Sequence, residues 1–113
     1  MVVETTVTVT EEQTAQHMGS GRRQVLATPA LVALMEAAAQ KMVDAHVPDG
    51  WESIGTSIGL THDAMTPVGM KVEIRAELVC FDGKEAVFDV SARDEQGPIG
   101  QGRHHRMLSR TRT

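Results

Sequence analysis

The run Thr28-Pro29-Ala30-Leu31-Val32-Ala33-Leu34-Met35-Glu36-Ala37-Ala38-Ala39-Gln40-Lys41-Met42-Val43-Asp44-Ala45-His46 decides the fold. Threonine is a preferred helix N-cap and proline is favoured at the first helical position, where no backbone N–H is needed, so a helix is expected from Thr28 to about His46. Leu31, Leu34, Met35, Ala38, Met42 and Ala45 recur as one apolar stripe, and Val32, Ala39 and Val43 widen it. Little of such a helix can face water, so it must be covered. Lys41 and His46 lie near its C-terminal end, where cations suit the helix dipole, and Val47-Pro48-Asp49-Gly50 stops it.

Beyond that stop the period changes from helical to two. Ile54, Thr56, Ile58, Leu60 and His62 share one face of a strand whose other face, Gly55, Ser57, Gly59 and Thr61, is small. Met70, Val72, Ile74, Ala76, Leu78 and Cys80 then alternate with Lys71, Glu73, Arg75 and Glu77, which describes a strand with one wet face. Asp82-Gly83 is a hairpin signal, and the returning strand sets Ala86, Phe88, Val90 and Ala92 against Asp89, Ser91 and Arg93. Gln96-Gly97-Pro98 makes the next turn, a last strand runs from about Ile99 to Leu108, and residues 108–113 form a basic tail. Before the helix, residues 2–10 alternate as a strand, with Val3, Thr5, Val7 and Val9 on one side. Residues 11–27 read as a loop with one helical turn. The expected architecture is α+β, a single domain over residues 1–113 in which one long central helix packs on an antiparallel sheet of about five strands. One such sheet leaves its edges bare, and a second copy would cover them.

Composition narrows the function. The 113 residues are 41% apolar and 23% charged, with a formal net charge of −4, as in an ordinary soluble domain. No apolar run approaches the roughly 18 to 20 residues of a membrane span, and the start lacks a signal-peptide pattern. A single cysteine, Cys80, allows no internal disulfide, so a cytoplasmic location is expected. All 15 acids lie at or before Glu95, and residues 101–113 carry Arg103, Arg106, Arg110 and Arg112 with no acid. A small basic cluster on an acidic body with only Trp51, Phe81 and Phe88 as aromatics does not suit nucleic acid. It suits a small anion bearing a few phosphates, and the competing reading is a solvated tail. A domain this small also has little interior to give to a pocket, so an active site is more easily built between two copies.

Three residues stand out chemically. Glu36 sits inside an apolar helix, where a carboxylate needs a partner or a purpose; the bland alternative is that it reaches water or pairs with Gln40. His62 ends a strand on the face of Ile58 and Leu60, as either a hydrogen-bonded structural residue or a base beside exposed backbone. Thr28 is explained by capping alone, although a helix N-terminus also stabilises developing negative charge. Along an ideal helix Thr28 and Glu36 lie about 12 Å apart, so they cannot simply touch. Elsewhere, Gly19-Ser20-Gly21 lacks the third glycine of a dinucleotide loop. His104 and His105 are adjacent in a strand and point to opposite faces, so no metal site is expected. Cys80, on an apolar stripe, reads as core.

Val25 to Glu36, Ser53-Ile54-Gly55-Thr56-Ser57-Ile58-Gly59-Leu60-Thr61-His62 and Ile99-Gly100-Gln101-Gly102-Arg103-His104 together resemble the hotdog-fold acyl-CoA thioesterases, in particular the fluoroacetyl-CoA thioesterase branch. The likeness spans roughly residues 21–108. It implies a long helix wrapped by an antiparallel sheet, a homodimer or dimer of dimers with active sites at the subunit interface, and hydrolysis of an acyl-CoA thioester. It also implies that Thr28, Glu36 and His62 are catalytic and that the Gly55 backbone contacts the substrate. No metal or other cofactor is implied, coenzyme A being part of the substrate. Arg103 and Arg106 are the candidates for its phosphates. The alternative is a noncatalytic acyl-CoA or acyl-carrier binding module on the same fold. A hotdog hydratase fits less well, because its Asp/His signature is not found.

Overall fold

The computed structural model describes residues 1–111; Arg112, one of the four cations of the basic end, lies outside the described residues. The sheet is formed by β1 (Val2–Thr8), β2 (Trp51–His62), β3 (Lys71–Phe81), β4 (Glu85–Asp94) and β5 (Gly97–Arg110) in the spatial order β1-β3-β4-β5-β2. Every neighbouring pair is antiparallel. One face receives the long helix α2 (Thr28–Asp44), whose Leu31, Met35, Ala38, Ala39 and Met42 are buried against Val72, Ile74, Ala76, Phe88, Val90 and Ile99. The apolar stripe expected from spacing is therefore the core face as far as Val43, whereas Ala45, past the end of the helix, is exposed. No helix among the described residues is long and apolar enough to cross a membrane.

Residues 11–27 contain more structure than a loop with one turn. A 3-10 turn at Glu11–Gln13 is held by a hydrogen bond from the Thr10 backbone N–H to Gln13 Oε1 (2.9 Å). A one-turn helix, α1 (Ala15–Met18), follows; Thr14 caps it and Gly19, at φ 75°, ends it. The strap then crosses to the start of α2. Leu26 N–H donates to Thr66 O (2.8 Å) and Ala27 N–H to Gln13 O (2.8 Å), which pins the backbone entering Thr28.

Two irregularities break the simple alternation. A register shift between Gly55 and Ser57 turns β2 over, so that Ser53 is buried and Ile54 is 53% exposed, whereas Ile58, Leu60 and His62 face α2 as expected. A second shift, between Leu78 and Cys80, sends the end of β3 outward. Cys80 is exposed there, not in the core, because a bulge moves every later side chain to the opposite face. β5 extends to Arg110, so residues 108–110 of the expected basic tail are strand, and the Arg110 guanidinium lies 5.0 Å over the Trp51 ring.

Candidate functional site

The site begins where α2 begins. The residue in the N-cap position is Ala27, not Thr28; Thr28 is the first residue of the helix, and no side chain caps the end. The hydroxyl that capping would have occupied is free for other use. Thr28 Oγ1 lies 2.8 Å from Nδ1 of His62, at the far end of β2. The strap that pins Ala27 sets the hydroxyl, and the pairing of His62 with Gly100 on β5 sets the imidazole. Gly100 is needed because a Cβ there would come within 2.6 Å of the Thr61 carbonyl oxygen and 3.2 Å of Leu31 Cδ2. Thr28 is exposed and His62 half-buried, in the wall of an open cleft of about 350 Å³ with Ala27, Asp63, Ala64 and Met65. His62 Nε2 is buried and has no hydrogen-bond partner.

Burial holds the His62 pKa below its ordinary value, against the upward pull of the neighbouring Asp63 charge and of the Ala64 backbone. The imidazole is therefore neutral near pH 7 and able to accept a proton.

A second group of residues lies deeper along the helix. Glu36 projects from the middle of α2 over Gly55, and a Cβ on Gly55 would fall on Glu36 Oε2. The same carboxylate oxygen is 3.8 Å from Arg106 Nη1 and 3.9 Å from His104 Nε2. Glu36 is thus neither a simple surface acid nor a buried orphan. Its side chain is 41% exposed and faces two β5 residues that alternation places beneath the helix.

Six residues were expected at the site, and they separate into groups. Thr28 and His62 meet; Glu36, Gly55 and Arg106 meet; Arg103 joins neither. Arg106 does not reach outward to phosphates, because it is 5% exposed and its guanidinium donates to Ser53 Oγ from Nε (2.8 Å) and to Ser53 O from Nη2 (3.1 Å). Arg103 lies on the opposite face of the sheet, paired with Asp89 (2.9 Å). The reason is the pleat: positions 104 and 106 turn under α2, and 103 turns away. His104 was missed as part of this cluster, and so was the role of Ser53. An acid inside an apolar helix demands a cation, and Arg106 was the signal available. The cation that reaches the cleft wall is instead Arg23, exposed, with Nη1 3.9 Å from Met65 Sδ; its neighbour in sequence, Arg22, is exposed as well.

The sequence model of the fluoroacetyl-CoA-specific thioesterase family, FlK, matches residues 9–111. The chain belongs to this family. A fluoroacetyl-CoA thioesterase from Streptantibioticus cattleyicolor is 40% identical over 85 residues, 75% of this chain, and the match spans 61% of that relative's length. The solved structure of the fluoroacetyl-CoA thioesterase FlK superposes with a TM-score of 0.91 at 31% identity, covering 97% of this chain and 86% of that one. A thioesterase superfamily member from Thermus thermophilus gives 0.90 at 28% identity, covering 97% and 82%. The fold is therefore the hotdog fold, as the resemblance implied. Within this family the conspicuous elements of the present chain, the Thr28–His62 pair and the Glu36–Gly55–Arg106 group, stand on the core helix and the strands it covers.

A pH dependence of stability follows from the buried imidazoles. His104 shares the downward displacement of His62, chiefly through burial and further through the Arg106 charge, against upward pulls from the Ser57 carbonyl and Glu36. Unfolding releases both histidines to an ordinary value of about 6.5, so below that pH the unfolded chain binds protons that the folded one does not. Stability from these two groups is complete above about pH 6.5 and falls as the pH drops toward the lower folded values. Melting temperatures between pH 8 and 5 check this, and a flat profile through the lower half of that range would contradict it.

Proposed function

We propose that this chain hydrolyses an acyl-CoA thioester to the free acid and coenzyme A, at a site completed between two copies and without a metal or redox cofactor. The observation that carries the reading is the 2.8 Å contact between Thr28 Oγ1 and the neutral, half-buried His62, on a helix N-terminus in a member of this family. His62 Nδ1 takes a proton either from the Thr28 hydroxyl or from a water held beside it, and the resulting oxygen attacks the thioester carbonyl. Negative charge then develops on the carbonyl oxygen, next to the unpaired N–H groups at the start of α2. The C–S bond breaks, coenzyme A leaves, and the proton held on His62 passes to the departing sulfur. In the Thr28 route a water then releases the acid from the threonine ester.

The two residue groups favour a shared site. Among the described residues, one edge of β2 has no strand beside it. A two-fold perpendicular to the sheet near Ile58 would pair that edge with its copy in antiparallel fashion, placing His62 opposite the partner's Gly55 and both helices on one side. The Glu36–Gly55 group of one copy then approaches the Thr28–His62 pair of the other, closing the gap of about 12 Å that separates the groups within one chain, and there the Glu36 carboxylate is the alternative base that takes the proton of the attacking water and passes it on to the sulfur. Arg23, in contact with the cleft wall, and its exposed neighbour Arg22 suit the phosphates of coenzyme A better than Arg103 or Arg106.

Thiol release from short, branched, aromatic and long acyl-CoAs is the test. Turnover of one class is expected, with His62→Ala lowering kcat by about 10²-fold or more. Raised salt, or Arg22→Ala with Arg23→Ala, is expected to raise KM with little change in kcat. Tight binding of coenzyme A with no thiol released from any acyl thioester would select the binding-module reading instead.

A further inference from the structure

His104 is a fully buried side chain near the site, 1% exposed, and the proposed chemistry gives it no task. Its ring nitrogens are assigned by their neighbours. Nδ1 is 2.8 Å from the Ser57 carbonyl oxygen, which can only accept, so Nδ1 carries the hydrogen. In the neutral ring Nε2 is then an acceptor, and it faces Arg106 Nη1 at 3.1 Å, a group that can only donate. The remaining fork of Arg106 grips Ser53 through both its hydroxyl and its carbonyl. Ser53 and Ser57 bracket the bulge that contains Gly55, the residue beneath Glu36. Two side chains of β5 thus clamp the β2 bulge at both ends, and the nitrogen that joins them, Arg106 Nη1, is also the one nearest the Glu36 carboxylate.

We propose that His104 is a positioning residue: as the neutral Nδ1–H tautomer it locks Arg106 and the β2 bulge together, so that the guanidinium and Gly55 hold the Glu36 carboxylate at one place for the reaction. A protonated ring would turn an Nε2–H toward the guanidinium N–H and lose that acceptor. The charged or titratable groups that face His104 are Glu36 from α2 and Arg106 from its own strand, and His105 acts on it from the opposite face of the sheet; Ser57 on β2 and Phe88 on β4, whose ring centroid lies 6.4 Å from that of His104, are uncharged. Asp44 of α2 acts on Arg106 from further away.

The proposal rests on Glu36 serving acyl-CoA hydrolysis, and the experiment separates the two. His104→Leu removes both bonds, and a fall in kcat of about 10- to 100-fold with KM within about threefold is expected, since small misplacements of a reacting group cost on that order. His104→Gln places an acceptor near the Nε2 position and is expected to recover most of kcat. His104→Asn places its amide near Nδ1, cannot reach Arg106, and is expected not to recover it. In the Glu36→Gln background, His104→Leu is expected to cost no more than about twofold further, because the group it positions has already lost its charge. A loss in that background equal to the loss in the wild type makes His104 merely structural and overturns the proposal. Equal activity of the Gln and Asn variants overturns it too, and decides the matter should the leucine variant not fold. Absence of turnover by the wild-type protein overturns the hydrolase reading itself, and this proposal with it.

Discussion

Glu36→Gln lowers kcat for acyl-CoA hydrolysis by about 10² to 10⁴-fold while leaving the folded protein in place, a loss typical of a positioned acid, base or nucleophile. The substitution keeps the shape and removes only the charge. It costs little stability, because the side chain is 41% exposed and the ion pair with Arg106 is loose, at 3.8 Å. Arg106 keeps its bonds to Ser53 and His104, so the guanidinium is not left unsatisfied. Steady-state thiol release alongside a melting curve separates the effects, and a loss of less than about threefold in kcat would remove Glu36 from the chemistry. The bland reading of this residue, a carboxylate that reaches water or Gln40, predicts no loss at all.

Gly102→Ala destabilises the protein by about 2 to 3 kcal/mol, in the range of overpacked cores, and lowers the melting temperature by roughly 10 °C. A Cβ at Gly102 collides with the Gly59 carbonyl oxygen and comes within 2.7 Å of both Cα and Cβ of Leu60. Neither obstacle is the end of a flexible chain. The two strands must separate, and β2 carries His62 at one end of the contact and Gly55 at the other. Activity is therefore expected to fall further than stability alone accounts for. Gly59→Ala is the matched control, because no atom lies within 4 Å of a Cβ built there. Thermal melting of the two variants checks the pair, and equal melting temperatures would show that β2 and β5 can part without cost.

The long helix and the strands could be read directly. Apolar spacing in Leu31 to Met42 and alternation in Met70 to Ala76 and in Ala86 to Ala92 reflect burial on one face, and burial is what the sheet and helix share. The bulges could not be read. Around Gly55 both faces of β2 are small or polar, so the sequence carries no hydrophobic record of the turnover that buries Ser53 and exposes Ile54. At Cys80 the apolar pattern continues after the strand has left the core, since the bulge depends on pairing with β4. Thr28 illustrates a third kind of limit. Its type and its proline neighbour suit an N-cap, yet the structure sets Ala27 there and gives the hydroxyl to His62, 34 positions away. A local signal cannot register a partner supplied by a distant strand.

Arg106 shows the same division most clearly. On its own it belonged to a basic C-terminal end fit for phosphates, and the pleat of β5 instead turned it under α2 toward Glu36. By itself the sequence determined the long helix and the five strands, their order, the core face of the helix and the identity of Thr28, Glu36 and His62 as the residues to watch, while Gly55 came only from the family resemblance. Those properties follow from periodicity and residue chemistry within a few neighbours. Only the tertiary structure decided that these residues form two groups, that His104 and Arg106 clamp one of them, and that Arg103 faces away. Such outcomes depend on strand register, bulges and the pairing of charges across the sheet, where a shift of one residue exchanges inside for outside.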